Sequence, residues 1–583
     1  MCAAFQATAA RHGDALALRE LGGGVEISWS DYATRVRAIA GALAAAGVGR
    51  GDTVAMMLRN RPESVILDTA AMHLGAIPFS IYNTSSPEQV EYLFGHARCR
   101  VVVTEELFAP TVMAVAARLD ALERVYVIDA ALDGAATAAE LEGPAPEGFD
   151  FEASWQAVRG EDVATLIYTS GTTGPPKAVE LTHENLLCEA RMIDELFPMR
   201  LAGRTVSYLP MAHLADRSAS HYNALIAGTA VTFVADMAQV FAAVIETRPT
   251  TWGAVPRVWE KLKAALEAGF AAAPAERRQA IEGALAAATA AVRAEGAGET
   301  PAPELLAARE RADAEIFTAL RAQLGLDEVE YLISGAAPIA AEVLEFFAAI
   351  GLPICEVWGM TETSLIATIN PADGIRIGTV GRALPGVELS LADDGELLVR
   401  GPTIMRGYRD DPERTAEAID AQGWMHTGDV ATIDGDGYVT IVDRKKELII
   451  NAGGKNMSPS NIENRLKAAC PLIGSAVAIG DRRAYNTALI VLDPVAAASF
   501  AAERGLAAAT PVELAADPVV AGEIEAGVQR ANASLSRVEQ IKRHTLLGEE
   551  WQPGGVELTP TMKLKRRPIA EKYAAQIDAM YAR

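Results

Sequence analysis

The sequence predicts an α/β protein with a large N-terminal domain of helix-covered sheets, a small β-barrel subdomain attached to it, and a small α+β C-terminal domain. Three observations predict this. The chain has 583 residues, more than one compact core accommodates, so two or more domains are expected. Over the first 160 residues short β-rich apolar runs alternate with Ala/Leu-rich helical stretches, as in a largely parallel sheet covered by helices. From about 376 to 442 the pattern changes to short strands between Gly/Asp turns, which suits a small β-subdomain.

The elements follow in order. "DTVAMML", "AIPFSIY", "RVVVTE" and "RVYVID" read as strands, and "YATRVRAIAGALAAAGV" reads as an amphipathic helix ending at Gly47. The strand text resumes at "TVSYLP", "AVTFVAD", "TTWGAVP", "VEYLISG" and "LPICEVWG". Between roughly 258 and 325 the chain is rich in Ala, Glu and Arg, with Gly and Pro near 294 to 303, and reads as two helices joined by an exposed turn. "VELSLADDGELLVRG" and "WMHTGDVATIDGDGYVTIVD" give the short strands of the subdomain. The charged run "DRKKELII" then interrupts, placing a boundary at Asp443 to Glu447 and dividing the chain into 1–443 and 444–583.

A formal charge of −24 argues against nucleic acid as a partner. It leaves a nucleotide open, because a pocket can be locally positive on an acidic protein. The five cysteines are scattered without CxxC or zinc-like spacing, so reduced thiols are expected. Residues 1 to 30 lack the pattern of a signal peptide, and no apolar run reaches bilayer length. A cytoplasmic protein is therefore expected.

"YTSGTTGPPK", ending in Lys177, is a hydroxyl- and glycine-rich loop directly after an apolar run. Glycines let backbone N–H groups turn toward an anion, hydroxyls add donors, and the lysine adds a compact positive charge. The Walker pattern is absent, since Lys177 follows Pro-Pro and precedes Ala178. In "VWGMTET", Trp358 and Gly359 offer a flat face with close backbone approach, and Glu362 a hard oxygen ligand for Mg2+. A core tryptophan and a solvated glutamate account for that stretch about as well. In "HTGD", Asp429 can accept two hydroxyl hydrogen bonds, though a plain β-turn is the simpler reading. Arg444 and Lys446 read equally as a solvated linker, and Lys563 in "LTPTMKLKRR" as a basic tail or an anion-seeking side chain.

Taken together and in this order, "YTSGTTGPPK", "WGMTET", "HTGD", "DRKKELI", "NAGGKN" and "PTMKLKRR" resemble the adenylate-forming superfamily of acyl-CoA synthetases, adenylation domains and luciferases. "SYLPMAHLADR", "RPTTWGAVPRVWEKL", "LISGAAPI" and "VDRKKELIINAGGKNMSPSNIE" are most similar to its long-chain fatty acid–CoA ligase branch. The resemblance implies a mobile small domain and two half-reactions. A carboxylic acid and MgATP give acyl-AMP and pyrophosphate; the CoA thiol then displaces AMP. ATP, Mg2+ and CoA are the implied partners of the acid.

Residue by residue, the resemblance implies that Thr169, Ser170, Gly171, Thr172, Thr173, Gly174 and Lys177 hold the β- and γ-phosphates, with Thr169 near the metal. Trp358 would lie against the adenine, where the family most often has Tyr, and Gly335 and Gly359 would be among the cofactor-binding residues. Thr361 would approach the α-phosphate, Glu362 the Mg2+, and Asp429 with Arg444 the ribose. Lys446 matches the hinge, Gly454 the segment lining the pantetheine tunnel, His213 a histidine near the acyl carboxylate, and Lys563 the lysine bridging carboxylate and α-phosphate. Ala178 stands where Gly is usual and Glu180 where an apolar residue is usual, so a local packing difference is expected. Two other readings stand beside the ligase. One is an acyl-AMP ligase serving a carrier protein, which often carries a restraining insertion not evident here. The other is an inactive nucleotide-binding scaffold, against which the complete set of charged positions argues. A long acyl substrate would bring the protein to the inner face of a membrane, although no basic amphipathic segment supports such peripheral contact.

Overall fold

The computed structural model describes every residue except 170–174, 451–454, 508–509, 560–561 and 583 and the side chain of Asn456. The first strands form a parallel five-stranded sheet in the order Ile77–Ser80, Thr53–Met57, Val101–Thr104, Arg124–Val127, Ala136–Thr137. Helices Pro62–His73, Pro87–Ala97 and Ala109–Ala116 alternate with these strands. Strands sandwiched between helices bury both faces, which is why Val54, Val101, Val102 and Val103 are all inaccessible. The amphipathic helix spans Trp29–Ala45, starting ahead of its predicted first residue because the Ser28 side chain accepts from the Asp31 N–H as its cap. Tyr32, Val36, Ile39 and Leu43 form its buried stripe.

A second sheet joins distant parts of the chain: Arg204–Ser207, Ala230–Phe233 and Leu16–Glu20 run parallel, and Glu26–Ser28 closes the edge antiparallel. A third runs Thr251–Ala254, Tyr331–Ser334, Ile354–Trp358 in parallel, then Thr368–Ile369 and Arg382–Ala383 antiparallel. The α-rich stretch before Tyr331 differs from expectation. It holds helices Pro256–Ala271, Ala275–Gly296 and Pro303–Ala312, the last continuing through a π-turn at Asp313–Phe317 into Thr318–Gln323. Pro274 supplies the additional break, since the residue before a proline is driven out of the α region.

The β-rich segment forms a four-stranded antiparallel sheet, Glu388–Leu391, Glu396–Arg400, Met425–Ile433, Val439–Arg444. The C-terminal part carries its own sheet, Ile473–Ile479, Asn486–Leu492, Ile541–Leu547, with helices Pro459–Ala469 and Pro518–Ser534 closing a separate core around Ile462, Ile490 and Ile524. This smaller unit is docked on the larger one by charge pairs. Arg257 contacts Asp493, Lys467 Nζ lies 3.0 Å from Glu260, and Arg465 3.4 Å from Glu342.

One buried acid in the large core makes a stability prediction. Glu189 on helix His183–Leu196 accepts from the Ile366 N–H (2.9 Å) and the Ser218 hydroxyl (3.1 Å), and burial pushes its carboxyl up to about 8. A folded-state value raised above 4.5 means stability complete below 4.5, falling as pH rises, and fully lost above about 8. Glu189→Gln should therefore flatten the decline in melting temperature between about pH 5 and 8. Parallel curves for variant and wild type would show that Glu189 is ionised in the fold.

Candidate active site

Thr169, Lys177, His213, Gly335, Trp358, Gly359, Thr361, Glu362, Asp429, Arg444, Lys446 and Lys563 all line one cleft between the two units. Ser170, Gly171, Thr172, Thr173, Gly174 and Gly454 lie outside the described residues. Thr169 ends strand Val163–Thr169 and pairs with Lys177, the first residue of strand Lys177–Thr182, so the two form the base of the hydroxyl-rich loop. The Tyr92 hydroxyl donates to the Pro176 carbonyl at 3.0 Å and fixes the loop's exit.

Trp358 ends the central strand of its sheet at the cleft. Gly359 follows because a Cβ there would meet the Leu365 carbonyl oxygen at 2.0 Å. That carbonyl comes back over the chain through the tight turn Thr361–Thr363, after which Ser364 and Leu365 hold φ at +63° and +111°. The turn is buttressed by the Ser364 hydroxyl on the Thr403 carbonyl (2.6 Å) and by the Met405 N–H on the Glu362 carbonyl (2.9 Å).

The Trp358 indole N–H donates to Asp429 Oδ2 at 2.8 Å, and Arg444 Nε lies 2.9 Å from Oδ1. The aromatic residue found here in place of tyrosine thus supplies its own polar contact, to the acid expected at the ribose. "HTGD" is no free turn: it lies inside strand Met425–Ile433, where the register slips against Glu396–Arg400 and Gly428 takes φ +72°. The Gly428 N–H donates to Glu396 at 2.8 Å, and the bulge turns Asp429 into the cleft. Although Arg444 is near, Asp429 Oδ1 is buried without an aligned hydrogen bond among the described residues, which leaves an acceptor for a ligand hydroxyl. Burial raises the Asp429 carboxyl, with Arg444 and the indole opposing.

His213 is placed by a buried carboxylate. Asp216 accepts from the N–H groups of Tyr208 (3.1 Å) and Leu209 (3.0 Å) and from the Ser207 and Ser220 hydroxyls (2.6 and 2.7 Å), pinning both ends of the loop that carries the histidine. His213 Nδ1 accepts from the Ala215 N–H at 3.1 Å, which leaves the proton on Nε2. Burial, helped by nearby Lys563, lowers the ring to about 3, so it is neutral at physiological pH.

Lys563 enters from the C-terminal unit. Its backbone N–H donates to the Thr559 hydroxyl at 3.0 Å, and its carbonyl accepts from the Thr559 N–H at 2.8 Å. The loop is clamped to the charged boundary segment by Arg566, which reaches Glu447 at 2.8 Å and Glu463 at 2.6 Å. The side chain is exposed within the cleft, with the cleft walls around it. That enclosure and the Arg444 charge lower its pKa, while Asp429, Glu447 and Glu362 act in the opposite direction.

Sequence reasoning missed two residues. Tyr408 donates its hydroxyl to Glu362 Oε1 at 2.9 Å, and the Lys177 ammonium sits 4.3 Å above its ring. Its only sequence signal is a glycine immediately before it and a "DDP" helix start after it. Glu356, two residues before Trp358, lines the cleft with Oε2 buried and without a hydrogen bond among the described residues, and burial raises its carboxyl to about 8. Glu180, the unusual residue of the loop's second strand, pairs with Arg409 at 3.4 Å and Arg406 at 3.8 Å. Beyond the polar groups the cleft is apolar. Tyr331 and Ile333 project from one face of their strand, and Phe197 meets the Tyr331 ring edge-on at 4.9 Å between centroids.

Residues 5–409 match the model of the AMP-binding enzyme family and residues 446–583 that of the AMP-binding enzyme C-terminal domain. A putative fatty-acid–CoA ligase, fadD11 of Mycobacterium tuberculosis, is 56% identical over 436 residues, 74% of this chain and 76% of that one. The long-chain-fatty-acid–CoA ligase FadD15 of Mycobacterium bovis is 37% identical over 562 residues, covering 95% and 92%. Among solved structures, the anthranilate CoA ligase AuaEII in complex with anthranoyl-AMP superposes with a TM-score of 0.75 over 98% of each chain at 20% identity, which is a likeness of fold. A chain matched by the family's two models over 5–409 and 446–583, with Trp358, Asp429, Arg444 and Lys563 gathered in one cleft, belongs to the AMP-binding enzyme family.

Proposed function

We propose that the protein is an ATP-dependent long-chain fatty acid–CoA ligase, working through acyl-AMP. The observation that carries the reading is the gathering of Lys563, the Trp358–Asp429–Arg444 group and neutral His213 in one cleft that also has apolar lining. The identity to fatty-acid–CoA ligases over most of the chain supports the substrate class and CoA as acceptor.

In this reading adenine lies against Trp358, bordered by Gly335 and Gly359, and a ribose hydroxyl fills the vacant valence of Asp429 Oδ1. The loop from Thr169 to Lys177 holds the pyrophosphate end, which is the leaving group. The fatty acid carboxylate attacks the α-phosphorus, and the oxygen bridging to the β-phosphorus departs with pyrophosphate. Two anions approach in that step, and the Lys563 ammonium lies between them, lowering their repulsion. His213 donates through Nε2–H to the carboxylate and orients it. In the second step the CoA thiol adds to the acyl carbon and AMP leaves.

Glu362 fits a magnesium site. Its side chain is buried, Oε1 is taken by Tyr408, and Oε2 has no hydrogen bond among the described residues. No cluster of three metal-ligating side chains exists among those residues. This matches an ion that takes one or two carboxylates and completes its shell with substrate phosphates. Bound there, with Thr169 at its edge, Mg2+ would neutralise phosphate charge.

The domain boundary falls at Asp443 to Glu447 in this reading, with Lys446 the hinge. No helix among the described residues is long and apolar enough to cross a membrane, so any contact with lipid would be peripheral. The test is pyrophosphate release across a panel of carboxylic acids, with and without CoA. Release with long-chain acids and CoA-dependent turnover is the expected result. Preference for short or aromatic acids would overturn the substrate class, and full turnover without CoA would overturn the acceptor.

A further inference from the structure

Lys177 and Glu362 carry opposite charges into the same cleft, yet no ion pair joins Lys177 to any described residue. Left alone, an ammonium and a carboxylate in a low-dielectric cleft attract strongly and would neutralise each other. Tyr408 stands between them. Its ring face receives the lysine at 4.3 Å, and its hydroxyl donates to the carboxylate at 2.9 Å. Each charge is satisfied without the other, and Glu362 keeps Oε2 free of hydrogen bonds from the described residues.

The tyrosine is itself held from behind. Gly407–Tyr408 is a two-residue edge strand paired to the loop's second strand, with Gly407 opposite Glu180 and Tyr408 opposite Val179. The Arg406 N–H donates to the Glu180 carbonyl (3.1 Å) and the Arg409 N–H to the Ala178 carbonyl (2.9 Å). Glu180 adds its two arginine pairs to that short ladder. A strand this short has few bonds to hold register, and the ion pairs supply what the ladder lacks. The unusual acid at 180 thus bears on where Tyr408 sits.

We propose that Tyr408 is a positioning residue that keeps Lys177 and Glu362 apart, so that one meets the phosphate chain and the other its cation. The proposal rests on the nucleotide reading above. Its test is Tyr408→Phe in the full chain, which keeps the ring and removes the hydroxyl. Mn2+ binding in the presence of α,β-methylene-ATP is followed by electron paramagnetic resonance, and AMP binding without metal by calorimetry. Losing a hydrogen bond to a charged group should weaken Mn2+ binding about tenfold or more, with AMP affinity unchanged. Tyr408→Leu, which also removes the ring face, should in addition weaken inhibition by metal-free tripolyphosphate. Equal Mn2+ affinity in Tyr408→Phe and wild type would overturn the proposal. So would a parallel loss of AMP affinity, which marks general support of the fold. Wild-type protein that binds no AMP would instead bring down the nucleotide site, and this proposal with it.

Discussion

Lys563→Ala lowers acyl-AMP formation by about 100-fold or more, the scale of removing one preorganised charge from a transition state, while CoA transfer from supplied acyl-AMP continues near the wild-type rate. The asymmetry follows from geometry. Lys563 lines the cleft on a loop that Arg566 clamps to Glu447 and Glu463, and there it faces Asp429, Arg444 and Glu362. In that place it can act where two anions meet, which happens in the first step only. Pyrophosphate exchange reads that step, and thioester formation from synthetic acyl-AMP reads the second; equal loss in both would refute the assignment. A pH signature accompanies it. The lysine works as a cation, and enclosure lowers its pKa below 10.5. Adenylation should therefore fail as pH rises, and kcat/KM for ATP, which reports the free enzyme, should show that alkaline limb below the ordinary lysine value. His213 adds no limb near neutrality, since it is uncharged above about 3.

Much of the fold was legible because its strands are covered by helices on both faces. "RVVVTE" and "LPICEVWG" are continuous apolar runs, and such runs between turn signals mark buried parallel strands. What stayed hidden depends on distance along the chain. Nothing local announces that Leu16–Glu20 pairs with Ala230–Phe233, or that Trp358 meets Asp429 seventy-one positions on. Asp429 was visible as a residue but not as a bulge, since the slip in register belongs to the partner strand as much as to "HTGD". Tyr408 was invisible for a different reason. Its chemistry is made entirely by what it touches, and a tyrosine after a glycine reads as an ordinary strand residue. The departures at 178 and 180 were legible as anomalies; the pairing with Arg406 and Arg409 gives only the second a use. The extra break in the α-rich stretch was written plainly in Pro274 and lost among the alanines.

Lys446→Pro should damage thioester formation far more than adenylation. The chain around this residue is tied on both sides. Upstream, Asp443 accepts from the Ser458 hydroxyl (2.6 Å) and the Ser460 N–H (3.1 Å), and Lys445 reaches Asp394 and, at 3.1 Å, Glu396. Downstream, Glu447 holds Arg566. Lys446 itself is exposed and makes no ion pair among the described residues. With no side-chain tie of its own among those residues to break, this peptide is where a swing of the small unit would pass, releasing the Asp443 bonds to Ser458 and Ser460 that span it. Such a swing would take Lys563 out of the cleft it lines in the arrangement described, and the second step requires room for a thiol at the acyl carbon. Proline fixes φ near −65° and would confine the proposed hinge. The arrangement with Lys563 inserted is held by the Arg257–Asp493, Lys467–Glu260 and Arg465–Glu342 pairs, so the first step should survive within a few-fold. Those pairs are partly exposed and weaken as salt is added, so raising ionic strength should favour the second step in the wild type and leave the proline variant unmoved. If both half-reactions fall together in Lys446→Pro, the pivot lies elsewhere in the boundary segment, and Lys445 or Glu447 becomes the position to substitute.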